Sequence, residues 1–275
     1  MRILVTNDDG IDAPGIMHLA EAVAPLGEVT VIAPASEYSG AGAAIGAIWE
    51  SHPTVTRRPD FPVGGIVEAW AIDGPPALCT FYARLGAFGA PFDLVVSGIN
   101  PGANVGRSVY HSGTVGACLT GRNGGWSGVA ISQQSTWATE GQAYQDAISQ
   151  QKWPTAAAVA AHFVEGMLAD LPSEPVVANV NVPNVELDEL QGWSITEVGH
   201  QPPRSMTKAQ LVERDGEPGV FDFDIRSGDL VDLPVDTDGG AVEAGIVSVS
   251  YLSRFVHEPR TDMGSAEASL GSMFT

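Results

Sequence analysis

The chain has 275 residues, a hydrophobic content of 44% and a mean hydropathy of +0.07, so we expect a globular fold with a large core. The formal net charge of −20, from 33 acidic and 13 basic residues, argues against binding to nucleic acid polymers or anionic membranes. No apolar run approaches the ~20 residues needed to cross a bilayer. The first residues do not resemble a signal peptide, and two cysteines are too few for a disulfide framework. We therefore expect a cytoplasmic protein.

Short apolar runs alternate with amphipathic segments over the first two thirds of the chain. The predicted strands are 3–6, 28–33, 66–72, 92–96, 129–132 and 176–182, and the predicted helices are 15–26, 75–88, 113–124 and 155–171. Residues 49–58 are predicted to be irregular or an edge strand. Strands that alternate with helices form parallel βαβ units. We therefore predict an α/β domain over residues 1–184, with a doubly wound, mostly parallel, Rossmann-like sheet.

The pattern changes after about Pro183. Short β-like runs at 193–198, 221–225 and 246–252 are separated by stretches rich in Gly, Pro and Asp. We predict a β-rich extension over residues 185–275, with a loosely ordered tail beyond Pro259. Such a segment has little helical cover and leaves sheet edges and apolar faces exposed, so we expect at least a dimer through residues 185–255.

Two adjacent carboxylates, Asp8 and Asp9, end the first predicted strand and are followed by Gly10. Open α/β sheets bind ligands in the crevice beyond the carboxyl ends of their strands. Two neighbouring anions repel each other unless a cation or a shared proton compensates. The pair therefore indicates a metal site, and the alternative is a polar turn in which Asp8 or Asp9 caps the helix that Pro14 begins. Under the metal hypothesis, Asp8→Asn should not lower the stability of the metal-free protein.

The loop at residues 33–42 follows the second predicted strand and contains Gly40 and Gly42. Together with Gly46, these glycines faintly resemble a dinucleotide-binding fingerprint, which should follow the first strand and has a different spacing. We therefore do not predict a dinucleotide site.

Two later loops carry neutral polar groups suited to a ligand. Residues 97–106 follow a buried strand and combine three glycines with Asn100 and Asn104, so the backbone can approach a ligand closely. In residues 111–116, Ser112 and Thr114 lie at a predicted helix start, where backbone N–H groups and the helix dipole favour phosphate. An ordinary strand-to-helix turn and a simple N-cap are the respective alternatives.

Together these segments form a specific combination. They are Asn7-Asp8-Asp9-Gly10-Ile11, Ser39-Gly40, Ser97-Gly98-Ile99-Asn100, Gly102-Ala103-Asn104 and Ser112-Gly113-Thr114-Val115. In this order they resemble the SurE family of survival-protein nucleotidases. The similarity is dense up to about Gly124 and thinner afterwards.

The resemblance implies a divalent-metal-dependent phosphatase that removes phosphate from nucleoside 5′-monophosphates, and often from 3′-nucleotides, by attack of a metal-activated water. It also implies a homodimer or homotetramer that exchanges C-terminal elements. The implied ligands of one metal ion per subunit are Asp8, Asp9, Ser39 and Asn100. The implied phosphate pocket is Asn104, Ser112, Gly113 and Thr114, and Asp8, Asp9, Asn104 and Ser112 are the implied catalytic residues. The chemistry agrees, because these ligands are hard oxygen donors that suit Mg²⁺ or Mn²⁺.

Two residues depart from the family pattern, and two other functions stay open. His111 stands where the family usually has tyrosine, and serves either as a general acid or as a packing substitution. Arg107 replaces a residue that is often acidic and could hold substrate. One alternative function is a haloacid-dehalogenase-type phosphatase with an aspartate nucleophile, although that mechanism requires Asp-x-Asp. The other is a nucleotide-binding regulator without turnover.

Overall fold

The computed structural model describes residues 1–50, 52–135, 148–255, 257 and 259–274. The strands are β1 (Arg2–Thr6), β2 (Glu28–Pro34), β3 (Val55–Arg57), β4 (Ile66–Ile72), β5 (Leu94–Pro101), β6 (Ser127–Gln133), β7 (Val177–Val182), β8 (Trp193–Ile195), β9 (Met206–Glu213), β10 (Phe221–Ser227) and β11 (Val247–Leu252). The helices are α1 (Pro14–Val23), α2 (Pro76–Arg84), α3 (Gly113–Asn123), α4 (Trp153–Ala169), α5 (Asp238–Glu243) and α6 (Gly264–Gly271).

One nine-stranded sheet forms the centre of the molecule, with the order β3-β4-β2-β1-β5-β6-β7-β11-β8. The run from β4 to β7 is parallel throughout, whereas β11 is antiparallel to β7 and β3 is antiparallel to β4. Strands β9 and β10 pair only with each other, as a separate antiparallel hairpin. The predicted α/β fold with a mostly parallel sheet is confirmed, as is the edge strand within residues 49–58.

Both faces of the sheet are covered around β1, and the apolar sequence of that strand is the reason. Ile3 and Val5 face the side of α1 and α4, whereas Leu4 faces α2 and α3. All three side chains are fully buried. A strand that is buried on both faces needs a continuous apolar run, which this segment has. The end of β1, where Asp8 follows, is therefore held at the middle of the sheet.

Strand β5 differs most from its prediction, because it continues through Ser97 and Gly98 to Pro101. Its pairing with β6 is irregular between Ser97 and Asn100, and Gly98 has a positive φ of 135°. A side chain at Gly98 would overlap the carbonyl oxygen of Ile131 on β6. The small residues that were expected to end the strand instead let it pass close to its neighbour.

The C-terminal third contains helices that the sequence pattern did not predict. Helix α5 has six residues and is capped by Thr237, whose hydroxyl accepts a hydrogen bond from the Gly240 amide at 3.2 Å. A helix this short and with two glycines shows no detectable periodicity. Residues 264–271 form α6, so the prediction of a loosely ordered tail was wrong for this segment, although α6 is exposed on every side.

Strands β8 and β11 lie within residues 185–275 but belong to the main sheet, next to β7. The part of this segment that stands outside the sheet is the β9–β10 hairpin. Within the part of the chain that the structure describes, no helix is both long and apolar enough to cross a membrane.

Gly15 allows α1 to lie against the end of β5, and this close approach gives a stability prediction. A Cβ atom at Gly15 would overlap the carbonyl oxygen of Ile99, which is backbone and cannot move aside alone. We expect Gly15→Ala to lower the free energy of unfolding by about 1–3 kcal/mol. Urea denaturation measures this loss.

The control is Gly166→Ala in α4, where the added methyl group meets no atom within 4 Å. Alanine favours the helix, so Gly166→Ala should raise the free energy of unfolding by about 0.5–1 kcal/mol. Equal effects of both substitutions would contradict the close approach of α1 to β5.

Candidate active site

Asp8 contacts two of the other predicted site segments. Its carboxylate accepts a hydrogen bond from the Thr114 hydroxyl at 2.6 Å and another from the Gly113 amide at 3.1 Å. Its backbone carbonyl accepts a hydrogen bond from the Tyr38 amide at 2.7 Å. The loops after β1 and β2 and the start of α3 therefore converge, because β1 and β2 are parallel and end at the same edge of the sheet.

The environment of Asp8 acts on its charge in two opposing ways. Only 3% of the residue is exposed, and this burial raises the pKa of the carboxyl group, whereas the hydrogen bonds from Thr114 and Gly113 act to lower it. A Cβ atom at Gly113 would lie 2.7 Å from the Cβ of Asp8. Glycine at that position lets the start of α3 reach the carboxylate.

The turn after β1 is held by hydrogen bonds to backbone carbonyl groups, and its carboxylates do not cap helix α1. The Asn7 side-chain amide donates to the Gly10 carbonyl at 2.9 Å, and the Ile11 amide donates to the Pro34 carbonyl at 2.8 Å. The N-cap of α1 is Ala13, which makes no side-chain capping bond. The alternative in which Asp8 or Asp9 caps that helix is therefore wrong.

Asp9 is half-buried and lines a cavity of about 290 Å³ on the α1 side of the site. Ser39 is exposed and directly follows Tyr38, whose amide contacts Asp8. Asn100 lies near the end of β5, where its side-chain nitrogen donates to the Gly102 carbonyl at 2.6 Å. This bond fixes the amide orientation and leaves Oδ1 of Asn100 as an acceptor.

Asn104 is buried, and its polar groups are held by β6 and β7. Its amide donates to Oδ1 of Asn181 at 2.7 Å, and its side-chain nitrogen donates to the Ser132 hydroxyl at 2.8 Å. Its carbonyl accepts hydrogen bonds from the side chains of Asn179 and Asn181 at 2.9 and 3.2 Å. Sequence analysis missed this supporting role of the two asparagines, whose signal was their polarity inside an otherwise apolar strand.

Ser112 is the N-cap of α3, and its hydroxyl oxygen accepts a hydrogen bond from the Val115 amide at 3.1 Å. Ser112 therefore caps α3, which leaves its hydroxyl proton free to donate elsewhere, whereas Thr114 donates to Asp8. The loop after β2 also touches this helix start, because the Gly42 amide donates to the His111 carbonyl at 3.0 Å.

A second cavity, of about 550 Å³, is lined by Gly102, which accepts the hydrogen bond from Asn100, and by His111, which directly precedes Ser112 at the start of α3. Arg107, Arg204 and Glu243 also line it. Asp238, which sequence analysis missed, binds two of the loops around this cavity. The buried carboxylate of Asp238 accepts hydrogen bonds from the amides of Gly106 and Gly199, both at 2.9 Å.

Comparison with known proteins identifies the family of the chain. The family model described as "Survival protein SurE" matches residues 3–205. The "5′-nucleotidase SurE" of Acinetobacter baumannii strain AYE is 34% identical over 255 residues, covering 92% of this chain and 93% of that protein. The "5′/3′-nucleotidase SurE" of Erwinia tasmaniensis is 35% identical over 253 residues, covering 92% and 90%.

A solved structure is similar over nearly the whole chain. The crystal structure of the SurE protein from Aquifex aeolicus has a TM-score of 0.74 and 26% sequence identity, and the match covers 98% of this chain and 100% of that one. The chain belongs to the SurE family. The resemblance in the first half of the sequence is thus confirmed, and the match to the solved structure extends into the C-terminal third.

The oxygen donors of this SurE chain fit a hard divalent cation. One Asp8 carboxylate oxygen accepts a hydrogen bond from Thr114 and the other from Gly113, and an ionised carboxylate offers about four acceptor positions, so capacity for a cation remains. Within the described residues, no three His, Cys, Asp or Glu side chains form a metal-binding group. A site here has to combine Asp8 and Asp9 with neutral oxygens, which suits Mg²⁺ or Mn²⁺.

The bond from Thr114 to Asp8 gives a second stability prediction. Thr114→Val preserves the shape of the side chain but removes the hydroxyl that reaches the buried carboxylate at 2.6 Å. We expect the free energy of unfolding to fall by about 1.5–3 kcal/mol, as is typical for a hydrogen bond to a charged group. Chemical denaturation of the metal-free protein measures it.

The matched control is Thr120→Val, a buried position on the same helix. The Thr120 hydroxyl donates to the Gly116 carbonyl within α3 at 2.9 Å, which is a neutral and local bond. Its loss should change the free energy of unfolding by less than about 1 kcal/mol. A larger effect at Thr120 than at Thr114 would contradict the role assigned to Asp8.

Proposed function

We propose that this chain is a divalent-metal-dependent 5′-nucleotidase that hydrolyses nucleoside monophosphates, including 3′-nucleotides. The observation that carries the proposal is the buried Asp8 carboxylate, held by Gly113 and Thr114 at the helix start beside Asp9. Two relatives that are 34–35% identical over 92% of this chain bear nucleotidase names, which supports the same activity here.

In this proposal Asp8, Asp9, Ser39 and Asn100 hold one Mg²⁺ or Mn²⁺ ion. When bound, the ion neutralises phosphate charge and lowers the pKa of a coordinated water. The residues of the chain supply position and charge. Thr114 and Gly113 orient Asp8, and the bond from Asn100 to Gly102 fixes the direction of the Asn100 oxygen.

The phosphate pocket in this proposal is formed by Asn104, Ser112, Gly113 and Thr114. The Ser112 hydroxyl accepts from Val115, so its proton is available to a phosphate oxygen. Asn104 is fixed by β6 and β7, which favours a rigid contact to substrate. Because phosphoryl transfer depends mainly on positioning and charge stabilisation, such rigid donors contribute directly to the rate.

The proposal is tested by phosphate release from AMP with Mn²⁺, with and without a chelator. Turnover abolished by the chelator and restored by Mn²⁺ is the expected result. Tight AMP binding without phosphate release would favour a nucleotide-binding regulator. Trapping of an aspartyl-phosphate would favour the haloacid-dehalogenase mechanism.

Asp8→Asn tests the proposed metal site directly. The substitution removes a negative ligand, so we expect AMP turnover to fall by several orders of magnitude and the Mn²⁺ requirement to rise. The free energy of unfolding of the metal-free protein should also fall. The Asn side chain has one acceptor oxygen in place of two, so it cannot accept the Thr114 and Gly113 hydrogen bonds at separate oxygens as Asp8 does. This corrects the expectation from sequence alone that no stability would be lost.

The control for Asp8→Asn is Asp170→Asn, which changes an exposed carboxylate at the end of α4. It should retain normal turnover and stability. Kinetics across a Mn²⁺ titration and thermal unfolding without metal measure both properties. An Asp8→Asn protein with a normal rate at limiting Mn²⁺ would refute the metal site.

We also propose that residues 185–275 act as an oligomerisation extension through the β9–β10 hairpin. One face of the hairpin carries Leu211, Phe223 and Ile225, which are 61%, 71% and 53% exposed. Phe223 pairs directly with Leu211. A two-stranded hairpin is marginally stable alone in water, and a continuous apolar face of this kind favours burial against a second copy.

The double substitution Leu211→Asp and Phe223→Asp should therefore shift a dimer or tetramer toward monomer at micromolar concentration. Gln210→Lys is the control, because its side chain lies on the opposite face, across from Asp224. Light scattering measures the assembly state of each protein. A wild-type monomer with full activity would refute the proposed role of the extension.

A further inference from the structure

The 550 Å³ cavity beside the start of α3 has a charge opposite to that of the whole chain. The chain has a formal net charge of −20, yet the described residues that line this cavity include Arg107, Arg204 and His111 and one carboxylate, that of Glu243. That carboxylate accepts a hydrogen bond from the Gln134 side chain at 2.9 Å. Asp238 is not among the residues that line the cavity. Its carboxylate accepts hydrogen bonds from the surrounding backbone amides.

The two arginines are carried by segments that are fixed to each other. Gly106, which precedes Arg107, has a positive φ of 54°, and a Cβ atom there would lie 2.5 Å from the carbonyl carbon of Gln201. The Asp238 carboxylate binds the Gly106 and Gly199 amides at once. The spacing between the loops that carry Arg107 and Arg204 is therefore set by buried contacts, which preorganises the cavity.

The cavity is lined by sequence neighbours of the proposed phosphate pocket, because Ala103 and Val105 flank Asn104. His111 lines it and directly precedes Ser112, while Gly102 lines it and accepts the hydrogen bond from Asn100. Arg107 and His111 both lie on the segment that leads to Ser112, so they are the cavity residues that follow the proposed phosphate site along the chain. Guanidinium groups in such a cleft attract phosphate oxygens and bind them in a fork geometry.

We infer that this cavity is a subsite for a second phosphate on the leaving group, and that the substrates it favours are nucleoside bisphosphates. The inference rests on the proposed nucleotidase function and names the substrate class that the site selects. Arg107 is the specificity-determining residue, since it lies on the loop that leads to Ser112. The acidic surface elsewhere repels the same ligands, so the cavity concentrates them at the site.

The test compares AMP, adenosine 3′,5′-bisphosphate and tripolyphosphate as ligands, by calorimetric titration and by phosphate release with Mn²⁺. Wild-type protein should bind the bisphosphate more tightly than AMP. Arg107→Gln should reduce that preference by about tenfold or more, as expected for loss of a hydrogen bond to a charged group, and Arg107→Lys should keep part of it. The control is Arg57→Gln on β3, where the arginine is paired with Glu68 at 2.9 Å outside the cavity.

The possible outcomes separate this inference from the proposed function. A wild-type protein that binds the bisphosphate no better than AMP would overturn the subsite. So would an Arg107→Gln protein whose affinities for AMP and for the bisphosphate fall by the same factor. If Arg107→Gln weakens the binding of tripolyphosphate but not of the bisphosphate, the assignment of the subsite to nucleoside bisphosphates is overturned. If the binding preference is present and depends on Arg107 but AMP releases no phosphate, the subsite stands and the nucleotidase proposal fails.

Discussion

The structure depends on one buried carboxylate at the end of the central strand. Asp8 follows a strand whose apolar residues are covered on both faces, so its position is fixed by the core. Burial disfavours its charge, and the Thr114 hydroxyl and the Gly113 amide oppose that cost. The start of α3 must therefore stay close to the end of β1. The hydrogen bonds that hold these two elements together also set the geometry of the proposed active site.

The parallel sheet could be predicted from sequence because its signals are local. Alternating apolar runs and helical periodicity located β1, β2, β4 and β7 to within a residue or two. The continuation of β5 could not be predicted, since Ser97-Gly98 is an ordinary strand end by local rules. Only the neighbouring Ile131 carbonyl shows why a glycine lies inside that strand.

Sequence patterns singled out three residues that the structure brings together, but they did not predict how these residues are bonded. Asp8, Thr114 and Gly113 were identified by pattern, yet the pattern assigned the helix start to phosphate and gave no sign that its donors meet Asp8. The roles of Asp238 and of the Asn179–Asn181 pair could not be predicted, although the two asparagines stand out as polar residues in an apolar strand. These residues act on Gly106 and Asn104 across more than 70 positions of sequence, where no local rule applies.

These long-range contacts connect the active site to the C-terminal third of the chain. Asp238 begins α5, directly before β11, and its carboxylate holds the loop that leads through Arg107 and His111 to Ser112. Removing that carboxylate would leave several buried amides without their acceptor, and the loop would lose its anchor. The geometry of a site built at the first strand is therefore completed by residues more than two hundred positions away. For this reason the family pattern in the first half of the chain does not by itself define the shape of the 550 Å³ cavity beside the start of α3.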